Sequence, residues 1–428
     1  MIGTFVATIL DVILLLAVGV PWFVARRLCG RKDSPLGERL GGFETIPESG
    51  APRVWIHAVS VGEVLAIRSL IRELQAFSPP PQIVLTVTTP KGLEMARNTY
   101  PHGVVIRPSP LDFAFSVRRA FRKIRPSVAV LAECELWPNW LRQAGLDAVP
   151  VVVVNARISM TSVWRYRLFA AVCPWVFRSP KRWLAQSVSN AERLIALGVS
   201  PDRVISAGNI KADNLDFTDP SGFRTQFRAE LGISEDAPVV IAGSTHPGEH
   251  EIILDAFLAG SGAYPMARLL VAPRHLERVS EVVSICAARG VPVSLWSARD
   301  KGTARVCVID TMGQLANLYA CADIALLGGT WVPIGGHNPL EPARFGIPIA
   351  VGSHVGSIKD LVVLLAEAGA LDMVPTTESL GHRLADVCGA PRVARQRGSS
   401  AAGVIERSRG ATALAVAAIK ETLCVSTE

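Results

Sequence analysis

The stretch WIHAVSVGEVLAIRSLIREL, residues 55–74, decides the fold. An apolar run stops at Ser60, and a helical pattern starts at once behind it. Ser60 and Glu63 have the spacing of a capping box, in which an N-cap serine and a glutamate three residues later satisfy each other's backbone N–H groups. A strand that passes into a helix through a short polar turn is half of a βαβ unit. The positive end of a helix also favours a carboxylate, so Glu63 is expected to be ionised and turned toward whatever lies beyond the strand.

The same rhythm continues along the chain. Short apolar runs recur at 54–59, 83–88, 128–132, 151–154, 183–186 and 204–208, and again at 239–243, 268–273, 291–296, 306–310, 324–329 and 347–352. Runs apolar at every position suit parallel strands buried on both faces, and their alternation with helical segments predicts two doubly wound sheets. The polar stretch KADNLDFTDPSGFRTQ (211–226) reads as the linker between them, and the last 40 residues, rich in Ala and Arg, read as helical. The expected division is an anchor with a basic flank over 1–30, a first domain over 31–212 and a second over 213–428.

In open α/β sheets, ligands bind beyond the carboxyl ends of the strands. The segments at those positions are SVGE, TTPKG, AECE, NAR, GNIK, GSTHPGE, APRH, DTMG and GGT. Turn formation alone accounts for their Gly, Ser and Pro. It does not account for the Glu, Lys, Arg and His that recur beside them, and a cleft between two domains does.

Bulk properties narrow the partners. The chain has 428 residues, 49% of them hydrophobic and 19% charged, with a formal net charge of +7. This is a globular protein of more than one domain that favours anionic partners. Eight cysteines show no C-x-x-C spacing, so neither a zinc ribbon nor a disulfide framework is indicated. Residues 1–25 are almost wholly apolar and are followed by Arg26, Arg27, Arg31 and Lys32. That pattern predicts a membrane anchor with the following chain on the cytoplasmic side, although Asp11 is costly at mid-membrane. There is no basic segment before the apolar run and no A-x-A site, which argues against a cleaved signal peptide. Basic residues and tryptophans interleave over 157–183, as on a nucleic-acid stacking surface or on a face that meets lipid headgroups. Beside a hydrophobic N-terminus the lipid reading is preferred, and no nucleic-acid partner is expected.

Individual motifs carry different weights. GGHNPLEPA (335–343) places Asn338 as an N-cap, Pro339 at the first helical position and Glu341 at the third. It reads equally as a well-capped helix and as a helix end for a phosphate, with Glu341 placed to accept from ribose hydroxyls. Ser244, Thr245, Arg274 and His275 follow strands and suit phosphate or base contacts. His246, Glu249 and His250 fit the H-x-x-E-H pattern of zinc hydrolases, but Pro247-Gly248 interrupt the single helical face that pattern needs. No Walker A sequence and no G-x-S-x-G occur. His57, inside the first strand, reads as a hydrogen-bonded strand histidine.

These residues together resemble the 3-deoxy-D-manno-octulosonic acid (Kdo) transferases. The matching stretches are WIHAVSVGEV, TVTTPKG, ECELWPN, NARIS, GNIKAD, STHPGEHE, APRH, DTMGQL and GGHNPLEPA, in the family's order over roughly residues 37–355. The resemblance implies a GT-B glycosyltransferase of two Rossmann-like domains, with an N-terminal anchor at the inner membrane. It implies inverting transfer of Kdo from CMP-Kdo to a lipid A precursor, with no cofactor and no essential metal. By the same resemblance Glu63 is the base, and Glu133 and Lys211 stabilise the transition state. Pro273-Arg274, Met312-Gly313-Gln314 and Asn338-Pro339-Leu340-Glu341 are the CMP-binding segments. The chain departs from the family in reading ECE for E-T-E, MGQ for M-G-E and SHVGSIKD (353–360) for a G-P-H pattern. The alternatives are a GT-B enzyme with another nucleotide sugar and a lipid acceptor, and a non-catalytic nucleotide-sugar binding protein at the membrane.

Overall fold

The computed structural model describes residues 36–158, 162–214, 220–298 and 304–425. The expected anchor and basic flank over 1–30 lie outside these residues. Among the described residues, no helix is long and apolar enough to cross a membrane.

The chain forms two compact units. The first runs up to Asn214 and takes in Ser408 onward, and the second is Leu215–Arg407. The expected second domain, 213–428, is therefore corrected at its end. The helix Ala411–Val425 buries Ala411, Ala415, Ala418 and Ile419 in the core of the first unit. Asp213 accepts the backbone N–H groups of Gly410 and Thr412, at 2.8 and 2.6 Å, and fixes the entry to that helix. The linker also shrinks: helices Ile210–Asp213 and Pro220–Glu230 occupy both ends of it. The second is held because Arg224 and the buried Arg228 both pair with the fully buried Asp323.

The first unit is a seven-stranded parallel sheet with order β3-β2-β1-β4-β5-β6-β7. Its strands are β1 Arg53–Ala58, β2 Gln82–Val87, β3 Val104–Pro108, β4 Val128–Ala132, β5 Val151–Ala156, β6 Arg182–Ala185 and β7 Val204–Ser206. β1 shows why the run is apolar throughout: Val54, Ile56 and Ala58 enter one core and Trp55 the other. The second unit is a seven-stranded parallel sheet with order β10-β11-β9-β8-β12-β13-β14. Its strands are β8 Val239–Thr245, β9 Arg268–Pro273, β10 Val293–Leu295, β11 Val306–Val308, β12 Ile324–Leu327, β13 Ile349–Val351 and β14 Leu371–Met373. Again Val240 and Ala242 face one core, Val239 and Ile241 the other.

Strand order reverses between β1 and β4 in the first sheet and between β8 and β12 in the second. Connections leave these neighbouring strands in opposite directions, and a crevice opens at their carboxyl ends. Glu63 follows β1, Glu133 follows β4, Ser244-Thr245 end β8 and GGT follows β12.

Candidate active site

In the first unit, β1 ends at Ala58 and Ser60 caps the helix Val61–Ala66. The Ser60 hydroxyl accepts the Glu63 N–H at 3.4 Å and donates to Glu63 Oε1 at 2.9 Å. Glu63 Oε2 accepts the N–H of Val59 at 2.7 Å, not that of Ser60, so the box closes one residue earlier than the spacing predicts. The carboxylate thus lies against the strand-to-helix turn and is only 6% exposed. Burial raises its pKa to about 7. The nearby charges of Glu133 and Glu135 push the same way, and the bonds from Val59 and Ser60 oppose them. The expectation of a carboxylate held ionised by the helix end is corrected: desolvation outweighs the cap.

Glu133 directly follows β4 and sits in the left-handed region at φ 60°, as do Asn155 at the end of β5 (φ 57°) and Ser244 near the end of β8 (φ 57°). Such backbone costs roughly 1–3 kcal/mol per non-glycine residue and is retained where it aims a side chain. Glu133 Oε1 accepts from Lys211 Nζ at 3.0 Å and lies 3.5 Å from Asn155 Nδ2. Asn155 Oδ1 accepts the N–H of Ile210 at 3.1 Å, and Asn209 Oδ1 accepts that of Lys211 at 3.0 Å. The turn that carries Lys211 is therefore pinned to β5. Glu133 and Lys211 form one pair, and Glu63 feels its carboxylate.

His57 meets its expected reading, a hydrogen-bonded strand histidine, at one nitrogen only. Its Nδ1 lies 3.0 Å from Thr86 Oγ1, but its Nε2 is buried with no hydrogen-bond partner. The Thr86 hydroxyl oxygen also accepts from Trp55 Nε1 at 2.9 Å, which leaves it one lone pair and its own proton for His57 Nδ1. Burial lowers the His57 pKa to about 4, and the ring is neutral.

In the second unit, the loop after β8 is fastened to the loop after β12 by one side chain. Glu249 is fully buried. Its Oε2 accepts the N–H groups of His246 and Gly329, both at 2.8 Å, and its Oε1 those of Thr330 and Trp331, both at 3.0 Å. The loops touch so closely that a side chain on Gly328 would overlap the Ser244 carbonyl. The H-x-x-E-H residues separate: His246 meets His337, while His250 meets Thr245 Oγ1 at 3.0 Å and Glu281 at 3.3 Å.

The expected nucleotide residues lie at these strand ends. Arg274 donates its backbone N–H to the Thr245 carbonyl at 2.9 Å and leaves its side chain exposed. Pro273 and Thr245 are buried, so these two stiffen the site more than they line it. GGHNPLEPA is corrected in register. The helix is the single turn Leu340–Ala343 with Pro339 at its cap, and Asn338 Oδ1 accepts the Leu340 N–H at 3.1 Å. One turn has little dipole, and Leu340 itself is in the core. Asn338 and Glu341 supply the polar side chains. Burial raises the Glu341 pKa, against a hydrogen bond from Asn338 and the charges of Arg344 and Arg274. Met312, Gly313 and Gln314 form an exposed turn beyond β11. Sequence placed Glu249 only in the disfavoured H-x-x-E-H pattern and gave His337 no role; an acceptor for the N–H groups of a glycine-rich turn was the signal available.

Two parallel doubly wound units, each with polar residues beyond its switch-point strands, are the architecture of the GT-B class. Over 384 residues the chain is 33% identical to the 3-deoxy-D-manno-octulosonic acid transferase of Haemophilus influenzae, covering 88% of each chain. The chain belongs to the Kdo transferase family. Residues 34–214 match the family described as 3-deoxy-D-manno-octulosonic-acid transferase. The enzyme of the same name from Chlamydophila psittaci is 29% identical over 357 residues, 82% of each chain. Among solved structures, a UDP-GlcNAc 2-epimerase from Neisseria meningitidis bound to UDP-GlcNAc superposes with TM-score 0.61 at 13% identity. It covers 87% of this chain and 99% of that one, and shows the fold.

Proposed function

We propose that the chain transfers Kdo from CMP-Kdo to a hydroxyl of a lipid A precursor, with inversion, at the cytoplasmic face of the inner membrane and without a cofactor or metal. The observation that carries this reading is Glu63: a buried carboxyl beyond a switch-point strand, with its pKa raised to about 7. A general base works best when its pKa is near the working pH. Each Glu63 oxygen holds one hydrogen bond from the turn and keeps a second lone pair for an acceptor hydroxyl.

Lys211 brings a positive charge, held in place by Glu133, to stabilise negative charge that develops as the nucleotide departs. In the second unit Arg274 presents an exposed guanidinium beyond β9, suited to a phosphate, and Asn338 and Glu341 suit ribose or base. The helix Val163–Val172 supports the membrane placement. Trp164, Leu168 and Val172 lie along one face, each more than 60% exposed, with Arg165 and Arg167 beside them. Trp183, by contrast, is core, so only part of the aromatic stretch is available to lipid.

The test is one reaction: purified full-length protein, CMP-Kdo and a lipid A precursor, with mass spectrometry of the product. A mass increment of one or more Kdo residues is expected. Binding without product would leave a nucleotide-sugar binding protein, and product only from a different nucleotide sugar would replace the donor.

A further inference from the structure

His246 and His337 belong to the loops beyond β8 and β12. Their Nε2 atoms are 2.7 Å apart, and their rings are parallel to within 1° with centroids 5.0 Å apart. Centroids farther apart than the nitrogens place the rings edge to edge in one plane, nitrogen facing nitrogen. Such a contact needs one proton between the two atoms, so one ring donates and the other accepts, and two imidazolium rings cannot make it. Among the described residues neither Nδ1 has a hydrogen-bond partner. A neutral pair holds one further proton, so one Nδ1 donates and the other accepts. A pair with one more proton keeps its bridge and offers two Nδ1 donors.

The groups that face the pair are Arg274, His275, His250 and Glu249. Glu249 is the one anion among them, and four backbone N–H groups already occupy its oxygens. Burial lowers the pKa of both histidines, His337 to about 4. For His337 the partner ring, Arg274 and His275 act in the same direction; for His246 the Glu249 charge opposes the fall. Without a ligand the pair is neutral at neutral pH, in a setting that an incoming anion would balance.

We propose that His246 and His337 are a proton-sharing pair that takes up one proton as the phosphate of the departing nucleotide gains its second negative charge. The inference rests on the transfer reading above. In the step concerned, the bond between the sugar's anomeric carbon and the phosphate oxygen breaks and its electron pair stays on that oxygen. The singly charged phosphodiester becomes a doubly charged monoester. The proton that joins the pair comes from bulk solvent, and Glu63 returns the acceptor hydroxyl's proton to solvent after transfer. The pair gives its proton back when CMP leaves, so one proton is released per turnover.

The full chain is titrated with CMP by calorimetry near neutral pH in buffers of different ionisation enthalpy. The wild type is expected to take up more protons per bound CMP than His337→Gln or His246→Gln, by up to about one, and its CMP affinity to fall relative to theirs by up to about tenfold per pH unit. The ligand's own titration, with a second phosphate pKa of about 6, cancels in that comparison. Cytidine, which lacks the phosphate, should give no uptake. Equal uptake by wild type and both variants overturns the pair and leaves the transfer reading standing. No CMP binding by the wild type overturns both. Should the variants not fold, the wild type at about pH 8 decides, because free CMP is then a dianion. Uptake there supports the pair, and binding without uptake overturns it.

Discussion

Ser60 and Glu63 hold each other across one turn: the serine hydroxyl donates to Glu63 Oε1 at 2.9 Å and lies 3.4 Å from the Glu63 N–H. The cap and the base are therefore one arrangement. The cap fixes the carboxylate, burial makes it basic, and each oxygen retains a lone pair. Glu63→Gln keeps the size and the amide oxygen but cannot accept a proton at neutral pH. Transfer should fall by roughly 10²–10⁴-fold while CMP still binds. Single-turnover transfer and CMP titration of the same sample check this, and near-normal turnover would remove Glu63 as base.

In the wild type, the transfer rate should rise with pH through about 7 and then level off, because the ionised carboxylate is the active form. Part of that value comes from Glu133, whose charge opposes ionisation of Glu63. Glu133→Gln removes the charge and keeps an oxygen for Lys211. It should move the Glu63 titration to lower pH, whatever it does to the rate. A carbon-13 NMR titration of Glu63 in wild type and variant reads the shift directly, and an unchanged midpoint would show that the two carboxylates are not coupled.

The same group makes a stability prediction. A carboxyl whose native pKa lies above its usual value binds its proton more tightly when folded. Its favourable contribution is complete below the ordinary carboxylate range and is lost as pH rises through about 7. The displacement from 4.5 to about 7 corresponds to at most ~3 kcal/mol. Glu63→Gln escapes that loss, so its melting temperature relative to wild type should be higher in mildly alkaline than in mildly acidic buffer. Parallel melting curves in the two buffers test the sign.

Much of this was legible in the sequence, and the exceptions have causes. Twelve strands announce themselves as apolar runs: ten are interior strands buried on both faces, and the half-buried edge strands β7 and β10 still carry apolar sequence. The two that do not, β3 and β14, are the outer strands at one end of each sheet. β3 reads VVIRP and is largely half-buried, and β14 is only LDM. Edge strands need no second apolar face and carry the charge or proline that disguises them. The C-terminal helix was visible as a helix, but nothing in an Ala-rich pattern says which core it joins. At the site, the strand-end rule located Glu63, Glu133, Lys211 and Arg274. It could not show that Glu63 is desolvated enough to lose its helix-end preference, because burial depends on residues far off in sequence. Nor could spacing pair His246 with His337, 91 residues apart.

Glu249 carries the last prediction. Its four bonds to the N–H groups of His246, Gly329, Thr330 and Trp331 span two loops, and among the described residues no other side chain accepts from those donors. Glu249→Ala leaves four buried N–H groups without an acceptor. Each such loss costs about 1–3 kcal/mol when water cannot enter, and relaxation of the loops makes the sum less than additive. A destabilisation of about 3–5 kcal/mol is expected, concentrated in the second unit. Glu249→Gln keeps one acceptor oxygen but turns an amide toward the remaining donors, so it should recover only part of the loss. Hydrogen exchange followed by mass spectrometry should show faster exchange at 328–331 in both variants and unchanged protection in β1 and β4. If 328–331 stay protected in Glu249→Ala, the loops are held by their glycine packing and the carboxylate is not their anchor.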